Sequence, residues 1–286
     1  MAVGVAAALM SPVLASAHTG DVGPFGPGNR AAGHGLISVG LTSDQRLVGF
    51  DVRKPADTWA LGKVSGLRDD TVLVGIDFRV QNGKLYGVGE KGGVYTLDSG
   101  ARAVKVSQLT VALQGKHFGV DFNPAANRLR IISDTGQNLR HNIDDPAAPA
   151  TTTTTTVDGT LTNPTMPPST ALGVTGAAYT NNDLNAATAT TLFDVDTTND
   201  RVSLQSPANA GTLAPTGNLG VQAGPSAGFD IYYKSSDGSN RGFAALSTDG
   251  KQRFYKVNVL NGRADLVGAF PAGRQVVDIA LPLDQS

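Results

Sequence analysis

The chain has 286 residues, of which 16% are charged and none is cysteine, and its formal net charge is −1. This charge, without a basic stripe, argues against nucleic acid and anionic membranes as partners. The lack of cysteine excludes disulfides and thiolate zinc sites, while a chain of this length can bury a core without such cross-links.

The N-terminal segment predicts a targeting signal followed by a leader. An apolar run over residues 3–14 ends in Ala15-Ser16-Ala17, the small-x-small pattern of a signal-peptidase site. The run is too short to span a bilayer, which favours a signal peptide over a membrane helix. It lacks the Lys or Arg that normally precedes the apolar run of a signal peptide. We expect a signal peptide over residues 1–17 and a secreted protein; the alternative is a plain Ala-rich tail. Residues 18–35 are rich in Gly and Pro, which predicts a flexible leader.

A four-residue phrase, Gly-apolar-Asp-apolar, recurs along the rest of the chain. Its copies begin at residues 75, 119, 176, 228 and 276; the copy at 176 is degenerate because Ala178 replaces the Asp, and the copy at 276 begins with Val276 in place of Gly. Spacings of 44 to 57 residues lie in the range of solenoid and propeller repeats.

Short β-prone runs, separated by turns that contain Gly or Asn, fill the segments between these phrases. The clearest unit has runs over 75–80, 84–89, 94–98 and 103–109, and units with four runs also start at residues 119, 176 and 228. The segment from residue 36 has only three runs, and residues 276–283 supply a single one. Three strands and one strand complete a blade.

We therefore predict an all-β fold: a five-bladed β-propeller of four-stranded antiparallel blades, closed by N- and C-terminal strands that share one blade. This single domain would cover residues 36–286. Six blades or an open β-solenoid are the alternatives, but neither explains the two incomplete terminal units.

Three stretches resemble the secreted bacterial family known as domain of unknown function 4394. They are residues 116–140, which contain Gly119-Val120-Asp121-Phe122, and residues 173–182 and 206–213. The resemblance extends over residues 37–283 and implies a β-propeller-like fold. Some members of that family carry a superoxide dismutase label, but the resemblance assigns that activity to no residue of this chain.

The repeated Asp of the phrase is the first candidate for a functional group. Asp77, Asp121, Asp230 and Asp278 hold one position in four units, on strands predicted to line a central channel. These carboxylates could accept hydrogen bonds from backbone N–H groups of their own or the next blade. Alternatively, they could hold a channel cation such as calcium. Paired-carboxylate hydrolysis is disfavoured because repeated units give the carboxylates similar environments.

A second group of candidates lies on loops predicted to share one rim of the channel. These ligand-binding candidates are His117, Asp134, Gln137 and Asn138. His117 with Asp121 could also bind a metal or act as an acid and base pair. In the alternative interpretation, Asp134 caps a tight turn and His117 is an ordinary loop residue.

One histidine and one acidic stretch have structural interpretations. His141 shares a strand face with Leu139 and Ile143, which favours a packed histidine. Asp194-Val195-Asp196 lacks the Gly and Glu of an EF-hand loop, and residues 196–199 predict a hairpin turn.

The chain contains no nucleophile elbow, phosphate-binding loop or His-Glu-x-x-His motif. A complete scaffold without a complete catalytic set favours a secreted binding module that presents one rim to an unidentified extracellular ligand or protein. The alternative is a metal-dependent enzyme, redox-active like superoxide dismutase, with Asp77, Asp121, His117 and Asp134 at the metal. A purely structural envelope protein is a third hypothesis.

Overall fold

The computed structural model describes Phe25 and residues 35–144, 154–185 and 187–283. Over these ranges the regular structure consists of β-strands, with a short 3₁₀ turn at Ala208–Ala210. None of the described residues forms a helix that is long and apolar enough to cross a membrane. The predicted signal peptide lies outside the described residues, as does the predicted leader apart from Phe25 and Gly35.

Five four-stranded antiparallel sheets form the blades, and the strands are numbered in chain order. From the channel outward, blade 1 contains β22 (Val276–Ala280), β1 (Ile37–Thr42), β2 (Arg46–Asp51) and β3 (Trp59–Lys63). Blade 2 contains β4 (Leu73–Arg79), β5 (Lys84–Gly89), β6 (Gly93–Leu97) and β7 (Ala103–Gln108). Blade 3 contains β8 (Phe118–Asn123), β9 (Arg128–Ser133), β10 (Asn138–His141) and β11 (Thr155–Val157).

The last two blades follow the same plan. Blade 4 contains β14 (Val174–Tyr179), β15 (Leu192–Asp196), β16 (Arg201–Gln205) and β17 (Leu213–Asn218). Blade 5 contains β18 (Ala227–Lys234), β19 (Ser239–Thr248), β20 (Lys251–Val257) and β21 (Ala264–Ala269).

The hairpins between the first and second strands show why the sequence turns where it does. In blades 2, 3 and 5 these turns contain Gly83, Asn127 and Gly238, whose φ angles are 64°, 51° and 67°. Glycine and asparagine tolerate this left-handed conformation better than other residues. The turn residues therefore mark where one strand ends and the next begins in these hairpins.

The ring closes as predicted, because β22 pairs with β1 in antiparallel orientation with Ile279 opposite Gly40. The innermost strands also contact one another in the cyclic order β22, β4, β8, β14 and β18. Both observations confirm a five-bladed β-propeller in which the two ends of the chain share blade 1.

The core is divided among the blade interfaces. The described residues form five apolar clusters, and each cluster lies between two adjacent blades. Phe25 joins the cluster between blades 1 and 2, where its ring packs edge-on against Phe78 at a centroid distance of 5.4 Å. One residue of the predicted leader is therefore buried in the core of the propeller.

One element was not predicted from the sequence. A two-stranded hairpin, β12 (Thr162–Asn163) and β13 (Ser169–Thr170), lies between blades 3 and 4. Leu161 and Ala171, next to its ends, are fully buried in the cluster between those blades. The strands of this hairpin are polar, and only the two flanking apolar residues anchor it to the core. Because its strands do not alternate polar and apolar residues, the sequence pattern does not predict it.

Replacement of Ile279 tests the closure of the ring. Ile279 is 1% exposed and packs in the cluster between blades 5 and 1. We expect Ile279→Ala to lower the free energy of unfolding by about 2–5 kcal/mol, because a buried cavity replaces the side chain. Denaturant titration measures this change. The control Leu266→Ala, at an exposed position, should cost less than about 0.5 kcal/mol. Equal small losses for the two variants would contradict the closure.

Candidate functional site

The repeated aspartates are buried on the innermost strands. Carboxylate oxygens of Asp77, Asp121 and Asp230 all lie within 4.8 Å of one another. Ile76 and Phe78 belong to the cluster between blades 1 and 2, so the aspartate between them points to the other side of β4, as alternation predicts. The structure therefore brings together three of the four predicted carboxylates.

Each of the four carboxylates joins its own blade to the next. The four hydrogen bonds run from Phe122 N to Asp77 Oδ2 at 2.7 Å, Tyr179 N to Asp121 Oδ1 at 3.2 Å, Leu281 N to Asp230 Oδ2 at 2.6 Å, and Ile76 N to Asp278 Oδ2 at 2.7 Å. We call these four bonds the carboxylate latches. They agree with the hypothesis that the repeated Asp fixes neighbouring blades through backbone N–H groups.

Asp278 differs from the other three in its position along the channel. In β8 and β14 the N–H group that bonds the latch belongs to the residue directly after the third position of the phrase, Phe122 or Tyr179. In blade 1 it belongs to Leu281, three residues after Asp278, which holds that third position. The strand β22 is therefore shifted by two residues relative to its counterparts. This shift explains why Asp278 lies outside the close group of three, although the sequence makes it equivalent.

Burial is the main influence on the acidity of these groups. It raises the pKa of Asp77, Asp121 and Asp278 well above the usual range, and repulsion from neighbouring carboxylates adds to the effect. Burial also raises the pKa of Asp230, to about 7, against the opposing effect of the Leu281 and Ile231 N–H groups. Such a cluster retains protons near neutral pH.

The pH dependence of stability tests this electrostatic description. An acid whose pKa is raised by folding stabilises the folded state below its unfolded pKa, and that contribution is lost as the pH rises through the folded pKa. We expect this contribution to the free energy of unfolding to fall between about pH 4.5 and about pH 7.5, because folding raises the pKa of Asp230 from its ordinary value of 3.8 to about 7. Asp121→Asn should weaken this fall, because it removes one repelling charge and keeps an oxygen for Tyr179 N–H.

Denaturant titration of both proteins at the two pH values measures the difference. His141 contributes with the opposite sign over this range, because burial lowers its pKa from 6.5 to about 4, but this contribution is the same in both proteins and cancels in their comparison. Equal slopes in the wild type and in Asp121→Asn would contradict the description.

The predicted rim residues are held mostly by contacts within the protein. The Asp134 carboxylate accepts the Lys116 N–H at 3.0 Å, and the Asp134 N–H donates to the His117 carbonyl at 3.0 Å. Gln137 accepts the Gln114 N–H at 2.9 Å and donates to the Ala112 carbonyl at 2.9 Å. The two loops are therefore neighbours, as predicted. The side chains of Asp134 and Gln137 bond backbone groups and so stabilise the two loops. Ligand binding at this rim stays a prediction.

Asn138 is placed differently from the other three rim candidates. Its side chain is buried, accepts a hydrogen bond from Arg130 at 2.7 Å and donates to the carbonyls of Gly159 and Ala208 at 3.0 and 3.1 Å. This residue therefore faces the interface between blades 3 and 4. His141 is also buried, and it bonds Ser107 and Thr155, which confirms the packed histidine.

An open groove lies on the opposite face of the ring. We call this the hairpin face, because it carries the turns between the first and second and between the third and fourth strands of blades 2, 4 and 5. The groove has a volume of about 720 Å³ and lies between blades 4 and 5. It is lined by Thr180, Asn181, Thr191, Phe193, Asn240, Arg241, Gly242, Lys256, Val257, Asn258, Val259, Leu260 and Asp265. Two smaller cavities, of about 330 and 320 Å³, open on the same face.

The groove coincides with the interface that has no carboxylate latch among the described residues. Ala178 occupies the position of the missing carboxylate. Amide side chains connect blades 4 and 5 instead: Asn182 donates to the Ile231 carbonyl at 3.1 Å, and Asn240 bonds both the backbone and the side chain of Asn181 at 2.8 and 2.6 Å. The degenerate copy of the phrase was the sequence signal that could have located this groove.

The charged residues of the groove are unequally paired. Asp265 pairs with Arg263 at 2.7 Å, and Arg241 makes a longer contact of 3.4 Å with Asp237. Lys256 has no ion-pair partner among the described residues, although Asp265 lies opposite it on the neighbouring strand. The groove therefore offers one ammonium group, one weakly paired guanidinium group and several amides and hydroxyls.

The fold and the groove define a closed five-bladed β-propeller with an asymmetric hairpin face. The chain matches the family model "Domain of unknown function (DUF4394)" over residues 46–280, and it therefore belongs to that family. The sequence resemblance to this family is confirmed. A comparison with curated proteins found no match.

A comparison with solved structures found distant matches. A structural genomics protein of unknown function from Bacteroides thetaiotaomicron VPI-5482 is 13% identical with a TM-score of 0.49, over 89% of this chain and 63% of that one. An auxiliary nutrient binding protein from Bacteroides ovatus ATCC 8483 is 11% identical with a TM-score of 0.42, over 71% of this chain and 55% of that one. The chain thus spans less than two thirds of either structure.

Proposed function

We propose that the protein is a ligand-binding module whose binding site is the groove between blades 4 and 5. The observation that carries this proposal is the groove itself, about 720 Å³ in volume, at the interface without a carboxylate latch. Small-molecule sites in proteins commonly have volumes of roughly 300–1,000 Å³. The site lies on the hairpin face, opposite the rim that the sequence favoured.

The lining of the groove indicates the chemistry of the ligand. Asn181, Asn240 and Asn258 offer both hydrogen-bond donors and acceptors, which suit a molecule with several hydroxyl groups. Lys256 and Arg241 offer positive charge to an anionic group on the same molecule. The ligand class that fits is a small hydroxyl-rich anion, such as a sugar acid or a sugar phosphate.

We place this module outside the cell. The support is the apolar run of residues 3–14 and the Ala15-Ser16-Ala17 pattern that follows it. The expected mature N-terminus is His18, and N-terminal sequencing of protein from the culture medium checks it. Recovery of the full chain only from inside the cell would contradict secretion.

A metal-dependent enzyme is the alternative function. Its support is the close approach of Asp77, Asp121 and Asp230, which could hold a cation such as calcium. The latches occupy these carboxylates with backbone N–H groups, however, so the cluster has a role in the fold without any ion. A stoichiometric redox metal that survives dialysis would favour the enzyme over the binding module.

Binding measurements on groove variants test the proposal. Titration calorimetry with D-glucuronate, D-glucose 6-phosphate and neutral D-glucose should show binding of the two anions in preference to glucose. Lys256→Gln should weaken anion binding about tenfold or more, because a charge-assisted hydrogen bond contributes roughly 1.5–3 kcal/mol. The control Lys251→Gln alters the opposite end of β20, away from the groove, and should bind like the wild type.

The outcomes separate the steps of the proposal. Equal binding of glucose and the anions, unchanged by Lys256→Gln, would contradict the role of charge. Failure of all three probes to bind would contradict the ligand class and favour the purely structural hypothesis.

A further inference from the structure

Blade 4 carries three buried polar side chains on the face that packs against blade 3. Asp194 lies on β15 directly opposite Ser203 on β16, and Gln205 lies two residues further along β16. Residues opposite each other in an antiparallel pair have Cβ atoms about 5 Å apart, and residues two apart share a face. Leu192, on the same face as Asp194, belongs to the apolar cluster between blades 3 and 4.

These three side chains leave four oxygen atoms without hydrogen-bond partners. The atoms are Asp194 Oδ1, Asp194 Oδ2, Ser203 Oγ and Gln205 Oε1. All three residues are at most 2% exposed. The Gln205 amide nitrogen donates to the Ala208 carbonyl, which fixes the amide so that its oxygen faces away from that contact. Unsatisfied buried acceptors are costly, and their presence indicates a bound water or ion.

The donors nearest to this group are already committed. The guanidinium of Arg130, in blade 3, bonds Tyr179 at 3.2 Å, Asn138 at 2.7 Å, Asp158 at 2.5 Å and Asn209 at 2.8 Å. Asp196, two residues from Asp194, pairs with Arg201 at 3.1 Å and caps the turn at residues 196–199. Among the described residues, no side-chain donor of this interface bonds the Asp194 carboxylate.

The net charge buried at this interface indicates which ion could bind there. The buried positive charge of Arg130 is balanced by Asp158, whose side chain is 4% exposed, while Arg140, the second cation that bonds Asp158, keeps 31% of its side chain exposed to solvent. An ionised Asp194 therefore leaves one buried negative charge uncompensated. One positive charge neutralises it, whereas a divalent ion would leave a surplus of buried positive charge, which is also costly. Carboxylate, hydroxyl and amide oxygens together are the ligands that hard cations prefer.

We propose that a monovalent cation, Na⁺ or K⁺, binds between blades 3 and 4, coordinated by Asp194, Ser203 and Gln205. The ion links the two strands that carry its ligands, and it gives the Asp194 carboxylate a positively charged partner in direct contact. This site is separate from the channel carboxylates and from the groove. It uses Asp194 without Asp196, so the EF-hand pattern remains excluded.

Thermal unfolding of the full chain in different chlorides at equal ionic strength tests the site. The melting temperature should be higher in NaCl or KCl than in choline chloride, by on the order of 2–4 °C, because an ion that binds only the folded state stabilises it. Asp194→Asn should abolish the difference, and Ser203→Ala should reduce it. The asparagine amide can donate to neighbouring oxygens, so the variant is expected to fold.

Asp121→Asn is the matched control, since it removes a buried carboxylate from the channel instead. It should keep the full response to Na⁺ or K⁺. Equal melting temperatures in all chlorides would overturn the proposal and leave Asp194 protonated or bonded to water. A response that survives Asp194→Asn and disappears in Asp121→Asn would place the ion in the channel. Stronger stabilisation by CaCl₂, lost in Asp194→Asn, would overturn the choice of a monovalent ion.

Discussion

The hydrogen bond between an inner-strand carboxylate and the backbone N–H of the next blade is the contact on which the ring depends. Apolar clusters fill all five interfaces, but apolar burial is non-directional and does not by itself fix the height of one blade against the next. A carboxylate latch does fix this height, because its carboxylate accepts a hydrogen bond from one particular backbone N–H group. Four latches therefore fix the relative height of the blades around the channel.

The latches bring an electrostatic cost with them. Three carboxylates converge near the channel axis, where burial and mutual repulsion disfavour ionisation. Backbone N–H groups offset part of this cost, and protonation offsets more. The same cluster that resembles a cation site thus acts as a set of structural acceptors, and its repeated sequence position follows from the repeated geometry of the blades.

Local signals made the fold predictable, whereas the features specific to single interfaces depend on packing between blades. The phrase around Asp121, the Gly and Asn turns and the two incomplete ends were enough for strand positions, blade number and ring closure. The two-residue shift of β22 and the burial of Arg130 gave no local signal, because neighbouring blades determine both. The candidate site was predicted less well: the carboxylates were found, but the groove was not, since its lining comes from two blades.

The two interfaces that depart from the repeat are the most informative. Between blades 4 and 5, Ala178 removes a latch and a polar groove opens. Between blades 3 and 4, a buried guanidinium and a set of unpartnered oxygens replace part of the apolar packing. Near-equivalent units thus form a rigid ring, and the exceptions provide the sites where chemistry differs.

Native-state hydrogen exchange is the most direct test of the latches. The amides of Ile76, Phe122, Tyr179 and Leu281 donate to carboxylates in adjacent blades. If the latches hold the ring, these amides exchange only through global unfolding, with the free energy measured by denaturant titration. Exchange of these amides through local opening, at a free energy well below that of global unfolding, would contradict the account.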